Sequence, residues 1–474
     1  MDNLVNILYI LAFALFIYGL MGLTGPKTAV RGNQIAAVGM AVAVVATLIS
    51  VRHTGNWIII AAGLLVGVLL GVPPARFTKM TAMPQLVAAF NGVGDGTVAL
   101  IAWAEFNNTD GFSHFRHGEN PTVHIIAGSL FAAIIGSISF WGSLIAFGKL
   151  QEILPGRPLS LGRVQQPLNF LLFIAAIGAA VYIGVGSNDD GGVSQLWIIA
   201  VLVLAAVLGL MVVLPIGGAD MPVVISLLNA LTGLSAAAAG LALNNTAMIV
   251  AGMIVGASGT ILTNLMAKAM NRSILGIVAG GFGGGGAVAA SSAGGEQRQA
   301  KATSAADAAI QMAYANQVIV VPGYGMAVAQ AQHAVKEMAS LLEAKGVEVK
   351  YAIHPVAGRM PGHMNVLLAE AEVSYDALKE MDDINGEFSR TDVVLVIGAN
   401  DVTNPAARED ASSPIYGMPV LNVDQARSVI VLKRSMNSGF AGIDNPLFYA
   451  DHTSMLFGDA KKSVGAVTEE LKSL

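Results

Sequence analysis

The stretch Val318-Ile-Val-Val-Pro-Gly-Tyr-Gly-Met-Ala-Val-Ala-Gln330 joins a short apolar run to an amphipathic one through Gly323-Tyr-Gly325. A strand, a Gly-x-Gly turn and a helix, in that order, leave backbone N–H groups and a helix dipole where a pyrophosphate can sit. A lone Gly-x-Gly is a weak signal, and the flanking strand and helix strengthen it. In the usual NAD-binding pocket an acid closes the second strand and holds the ribose 2′-hydroxyl. Here that strand, Val347-Glu-Val-Lys-Tyr-Ala-Ile353, runs into His354-Pro-Val-Ala-Gly-Arg359 with no acid at its end. A later strand, Val429-Ile-Val-Leu-Lys433, closes instead on Lys433-Arg434-Ser435. Two cations and a hydroxyl are what a 2′-phosphate needs, so the pattern favours NADP over NAD. Solvated strand-end charges would look the same in sequence.

Asp392-Val-Val-Leu-Val-Ile397 is another apolar strand, and Gly398-Ala-Asn-Asp401 follows it. Ligands of open α/β sheets bind at the carboxyl ends of strands, which makes Asn400 and Asp401 candidate contacts. Asn400 is equally readable as a turn residue. His354 and His363 lack carboxylates at ligand spacing, and the chain has no cysteine, so no metal site, disulfide or thiolate nucleophile is expected.

These motifs sit in a chain of uneven composition. Of 474 residues, 54% are hydrophobic and only 12% charged, against roughly a quarter charged in ordinary soluble domains. From Lys301 onward the density is normal, with 14 Lys/Arg and 21 Asp/Glu. Before Met270, Asp95 is the only acid well inside an apolar segment, with Glu105 and Asp220 at segment edges. The expected organisation is a membrane part over 1–270, a Gly-rich linker over 271–302 and a nucleotide-binding part over 303–474. The net charge of −5 gives no hint of nucleic-acid binding.

Apolar segments near 3–23, 34–51, 56–72, 82–104, 121–147, 168–185, 194–215, 221–243 and 246–269 read as nine spans. The first follows Met1-Asp2-Asn3 without a basic region and reads as a retained span. The fourth and eighth, rich in Gly, Ala, Ser and Asn, are expected inside the bundle, where small residues let helices approach. With the N-terminus outside, inside loops carry Lys27, Arg31, Arg76, Lys79, Lys149, Arg157, Arg163, Lys268 and Arg272, and outside loops only Arg52 and Arg116. That asymmetry puts the C-terminal part in the cytoplasm. There, a helix over 303–315 precedes strand 318–322, helix 325–345, strand 347–353, helix 361–381, strands 392–397 and 428–433, and helix 460–473. The alternation predicts a parallel, doubly wound, Rossmann-like sheet.

Long stretches resemble the beta subunit of proton-translocating NAD(P) transhydrogenase. They are 323–332, 353–371, 394–401 and 433–437 in the C-terminal part, with Met80-Thr-Ala-Met-Pro-Gln-Leu-Val, Ala146-Phe-Gly-Lys-Leu, Ile216-Gly-Gly-Ala-Asp-Met-Pro-Val-Val and Lys268-Ala-Met-Asn-Arg-Ser before it. The resemblance covers nearly the whole chain. It implies direct hydride transfer between NADH on a partner alpha subunit and NADP⁺ on this chain, coupled to proton passage. The cofactors carry that chemistry without a side-chain nucleophile. It further implies a dimer of alpha–beta units in a bacterial cytoplasmic (inner) membrane, among lipid, and a flipped NADP. The implied contacts are Gly323, Tyr324, Gly325, Met326, Ala327 and Val328 along the dinucleotide, then Val356, Ala357, Gly358, Arg359, Met360 and Pro361 near the phosphates. Gly398, Ala399, Asn400 and Asp401 would lie near the nicotinamide half, Lys433, Arg434 and Ser435 at the 2′-phosphate, with Gly439, Phe440 and Ala441 following.

For the proton path the resemblance points to Asn91, Ser143, Asp220 and Asn229. Many members have a histidine where this chain has Asn91, and an amide cannot titrate; some relatives are thought to supply it from a partner helix. Asp95, four residues on and on the same helix face, is another candidate. It could instead lie at a helix break in Asn91-Gly-Val-Gly-Asp-Gly96, solvated in a small cavity. Asp220 could equally cap the eighth span, and His124 reads as an interfacial residue. A channel regulated by a nucleotide domain is a competing class, but no Thr-Val-Gly-Tyr-Gly-like filter lies among the spans.

Overall fold

The computed structural model describes residues 2–79, 82–113, 123–155, 158–186, 193–217, 220–271, 273–278, 300–359, 362–413, 415–439 and 441–474. Met360, Pro361, Phe440 and most of the Gly-rich linker lie outside the described residues. The chain divides into two compact units, the first holding the long apolar helices and the second the sheet.

Among the described residues nine helices are long and apolar enough to cross a membrane. They are α1 (Asp2–Gly22), α2 (Pro26–Ser50), α3 (Trp57–Phe77), α4 (Met83–Asn108), α5 (Val123–Leu150), α6 (Gln165–Val185), α7 (Gln195–Val213), α8 (Met221–Ala242) and α9 (Thr246–Ala269). The chain is therefore a membrane bundle followed by a Rossmann-like domain. Several ends differ from the sequence reading. Helix α2 starts at Pro26 rather than 34, because proline suits the first helical position after the extended Gly25. Helix α3 runs through Pro73 and Pro74 to Phe77, past the segment end read at 72. Helices α5 and α8 are the most buried of the nine, with α4 next. Close approach explains the small residues: a Cβ at Gly136 would stand 2.9 Å from the Asp95 carbonyl oxygen, so α4 and α5 pack backbone to backbone.

The sheet has six parallel strands in the order β3-β2-β1-β4-β5-β6. They are β1 (Gln317–Pro322), β2 (Glu348–Ile353), β3 (Leu378–Glu380), β4 (Val393–Ile397), β5 (Ser428–Lys433) and β6 (Thr453–Phe457). Every residue of β1 and β4 is buried, as expected of a sheet covered on both faces. One face packs Ile319, Val321, Val394, Val396, Val429 and Val431 against Phe388, Leu447 and Phe448. Around it lie α10 (Ala305–Ala313), α11 (Tyr324–Val328), α12 (Gln332–Ala344), α13 (His363–Glu370) and α14 (Ala460–Ser473); α14 packs on α10, α12 and β5.

Two expected helices are shorter than predicted. The helix read over 325–345 is α11 plus α12, and the one over 361–381 stops at Glu370. Both stops are the same device. Gln330 and Glu372 adopt left-handed backbone, φ 51° and 59°. The following N–H groups, of Ala331 and Val373, close back on Met326 O (3.1 Å) and Leu368 O (3.0 Å). That position usually holds glycine, so the sequence carried no stop signal. Strands β3 and β6 also went unread. The first has three residues; the second is an edge strand whose outer side is covered by Lys301–Thr303, with Met455 N–H donating to Lys301 O at 2.6 Å.

Candidate functional site

In strand order 3-2-1-4-5-6 the connections reverse between β1 and β4, and the crevice opens at that point. Pro322 pairs with Ile397 at the strand ends. Beyond them Gly323 N–H donates to Ile397 O and Gly325 N–H to Gly398 O, each at 2.9 Å. Gly398 N–H donates to Leu432 O at 3.2 Å, which ties in β5. Gly398 has φ +66°, where a side chain is strained, and a Cβ at Gly325 would come within 2.6 Å of the Gly398 Cα. The two turns therefore touch backbone to backbone and form the floor of a cleft of about 790 Å³.

Residues from all the predicted C-terminal segments line this cleft. They are Gly323, Tyr324, Gly325 and Val328; Val356, Ala357, Gly358 and Arg359; Gly398, Ala399, Asn400 and Asp401; Lys433, Arg434 and Ser435; and Gly439 and Ala441. Met326 and Ala327 are buried in the core and do not line it. Arg359 holds its guanidinium 4.5 Å from the centre of the Tyr324 ring, an edge-of-pocket cation resting on an aromatic face. Lys433 Nζ donates to Asn437 O at 2.5 Å and stands 4.6 Å from the Phe448 ring centre. Burial pushes Lys433 below the ordinary lysine range, against the pull of Asp401 and Asp444. Arg434 and Ser435 are exposed. Asn400 accepts from Asn445 Nδ2 at 3.2 Å through Oδ1, while its buried Nδ2 has no partner among the described residues. Asp401 Oδ2 accepts from Ala441 N–H at 3.0 Å.

The two histidines are structural. His354 is 2% exposed; its Nε2–H donates to Pro419 O at 2.8 Å, and its Nδ1 accepts from Val356 N–H at 3.2 Å. Burial pushes it down to about 4, so it is neutral. His363 Nδ1 accepts from Arg359 N–H at 3.1 Å, and burial followed by the Arg359 charge pushes it down to about 4. Together they hold the loop that presents Arg359.

Sequence reasoning missed Gly458, Asp459 and Ala460 at the cleft, because β6 that leads to them was unread. Asp459 caps α14 by accepting from Lys462 N–H at 3.2 Å. The signal was present as an apolar run, then Gly-Asp, then a helical pattern.

In the membrane unit Asn91, Asp95 and Ser143 come together. Asp95 is fully buried, and α4 runs unbroken through Asn91–Gly96, so the alternative of a solvated helix break there does not hold. Asn91 Nδ2 donates to Ser143 Oγ at 3.1 Å. Ser139 and Thr232 donate to Asp95 Oδ2 at 2.6 and 2.8 Å. Asn229 is half-buried on α8 and makes none of these bonds; Asp220 immediately precedes α8.

A model of the NAD(P) transhydrogenase beta subunit family matches residues 5–470. The chain is also 48% identical over 464 residues to the NAD(P) transhydrogenase subunit beta of Rhodospirillum rubrum, covering 98% of each chain, and equally to that of a named strain of the same organism. The chain belongs to the transhydrogenase beta-subunit family. As a transhydrogenase beta subunit it is a component of an oxidoreductase. The lone Gly-x-Gly and the buried Asp95 thus belong to one membrane enzyme.

Proposed function

We propose that this transhydrogenase beta subunit holds NADP(H) in the cleft above β1 and β4, and takes part in hydride exchange with NAD(H) held by an alpha subunit, coupled to proton passage. The nicotinamide rings supply the hydride chemistry, and the chain supplies binding, orientation and coupling. The Gly323, Gly325 and Gly398 cradle leaves room for a dinucleotide backbone, and the unpartnered Asn400 Nδ2 offers a buried donor. Val328, Val356 and Ala357 line one wall, Arg359 stands as the phosphate cation, and Gly439 and Ala441 flank Asp401. We assign residues 1–270 to the membrane part, 271–302 to a linker and 303–474 to nucleotide binding. In this reading the N-terminus lies outside a bacterial cytoplasmic membrane, the nucleotide part lies in the cytoplasm, and alpha–beta units pair as a dimer. Asn91, Asp95, Ser143, Asp220 and Asn229 serve the proton path.

One observation carries the choice of NADP. β2 runs into the neutral, buried His354 instead of an acid, while β5 ends at Lys433 and runs into Arg434-Ser435. Lys433 is half engaged with Asn437, so the exposed Arg434 is the principal phosphate partner. Titration of the full chain with each dinucleotide tests this. Losing one charge-assisted contact should weaken NADP(H) by about tenfold or more in Arg434→Ala, with NAD(H) affinity unmoved. Equal effects on both dinucleotides would contradict the assignment.

A further inference from the structure

Three hydroxyl groups in the membrane unit each stand between Asp95 and at least one other acceptor. Ser139 Oγ reaches Asp95 Oδ2 at 2.6 Å and Leu228 O at 3.2 Å. Thr232 Oγ1 reaches Asp95 Oδ2 at 2.8 Å, Leu228 O at 2.9 Å and Asn91 Oδ1 at 2.7 Å. Ser235 Oγ reaches Asp95 Oδ1 at 3.4 Å and Thr232 O at 3.0 Å. A hydroxyl has one proton to donate, so each serves either the carboxyl or another acceptor at any one time. We propose that Asp95 with Ser139, Thr232 and Ser235 forms a two-state proton-binding site, in which hydroxyl rotation accommodates both the charged and the neutral carboxyl with no heavy atom displaced. The inference rests on the proton-coupling reading and deepens it by assigning three positioning residues.

In the charged state the three hydroxyl protons turn to the carboxylate, and Asn91 Nδ2 adds a longer bond of 3.4 Å. An isolated carboxylate would be costly inside an apolar bundle, and these donors replace its hydration. In the neutral state an arriving proton forms one O–H bond on Oδ2. That O–H donates to Thr232 Oγ1, and Thr232 turns its own proton to Leu228 O or Asn91 Oδ1. No covalent bond within the site breaks, the Thr232 hydrogen bond reverses direction, the charge goes from −1 to 0, and release reverses the steps.

Among the described residues of α4, α5, α7 and α8, no other titratable side chain stands beside Asp95. Helices α7 and α8 carry no ionisable side chain, α5 carries His124 and Lys149 at its two ends, and Glu105 lies ten residues along α4. Asn91, which cannot titrate, is the amide that the Thr232 proton and Ser143 share. The spacing is regular: Asn91 and Asp95 are four apart on α4, Ser139 and Ser143 four apart on α5, and Leu228 and Thr232 four apart on α8.

The test uses the full subunit with its partner in vesicles, read by infrared difference spectra after a pH jump. A protonated-carboxyl band should appear on acidification and vanish in Asp95→Asn. Thr232→Val and Ser139→Ala each remove a donor to the carboxylate, so proton affinity of that band should rise about tenfold per hydroxyl, with NADP(H) affinity unchanged. A band retained in Asp95→Asn, or an unmoved midpoint in both hydroxyl variants, overturns the proposal. Proton-coupled turnover tested separately in Asp95→Asn tells whether coupling itself runs through this carboxyl; parental pumping there sinks the proposal while leaving the nucleotide reading intact.

Discussion

His354 gives the sharpest test of how the Arg359 loop is held. Both ring nitrogens are committed: Nε2–H to Pro419 O and Nδ1 to Val356 N–H. A second proton can enter only at Nδ1, where it displaces the Val356 bond and places a charge in a site 2% exposed. The folded value of about 4 lies below the ordinary 6.5, so the unfolded state binds more protons between those limits. Stability from neutral His354 is therefore complete above pH 6.5 and is lost as pH falls toward 4. The full shift corresponds to about 3 kcal/mol. Hydrogen–deuterium exchange at the imidazole C2 position, read by mass spectrometry on the full chain, gives the midpoint of each histidine. His354 should titrate near pH 4, and backbone protection factors across 349–357, referred to the intrinsic exchange rate at each pH, should fall between pH 6.5 and 4. In His354→Gln, which retains a donor but cannot titrate, that fall should flatten. A His354 midpoint near 6.5 would refute the reasoning, as would unchanged acid sensitivity in the glutamine variant.

Two further outcomes follow from the cleft. Gly398→Ala places a side chain at φ +66° against the Gly325 backbone; the left-handed strain of about 1–2 kcal/mol and the forced displacement of about 1–3 kcal/mol should weaken NADP(H) binding at least tenfold in titrations. Among the described residues no three of His, Asp and Glu group to hold a metal ion, so turnover should survive exhaustive chelation, and a loss restored by zinc would contradict this.

The apolar helices were legible because spans declare themselves by length and composition, and β1 and β4 by continuous buried runs. Helix stops at Gln330 and Glu372 were not, since the left-handed backbone of the local closures there falls on residues other than glycine. The short β3 and the edge strand β6 lack a periodic signal, and with β6 went Gly458–Ala460 of the cleft. In the membrane unit the candidates Asn91, Asp95 and Ser143 do converge, yet Ser139, Thr232 and Ser235 were invisible because their partner lies across helices. Sequence spacing reports one helix face at a time; which faces meet depends on where Gly136 and its neighbours let backbones touch.

The central claim is that NADP(H) chemistry on this chain is coupled to proton passage through its own bundle. Hydride transfer from NADH to an NADP⁺ analogue, followed in vesicles holding this subunit with an alpha subunit, tests it most directly. A proton gradient directed toward the face that carries the nucleotide part should accelerate analogue reduction, and an uncoupler should remove the acceleration. A rate indifferent to the gradient, in vesicles shown to be sealed, would contradict it.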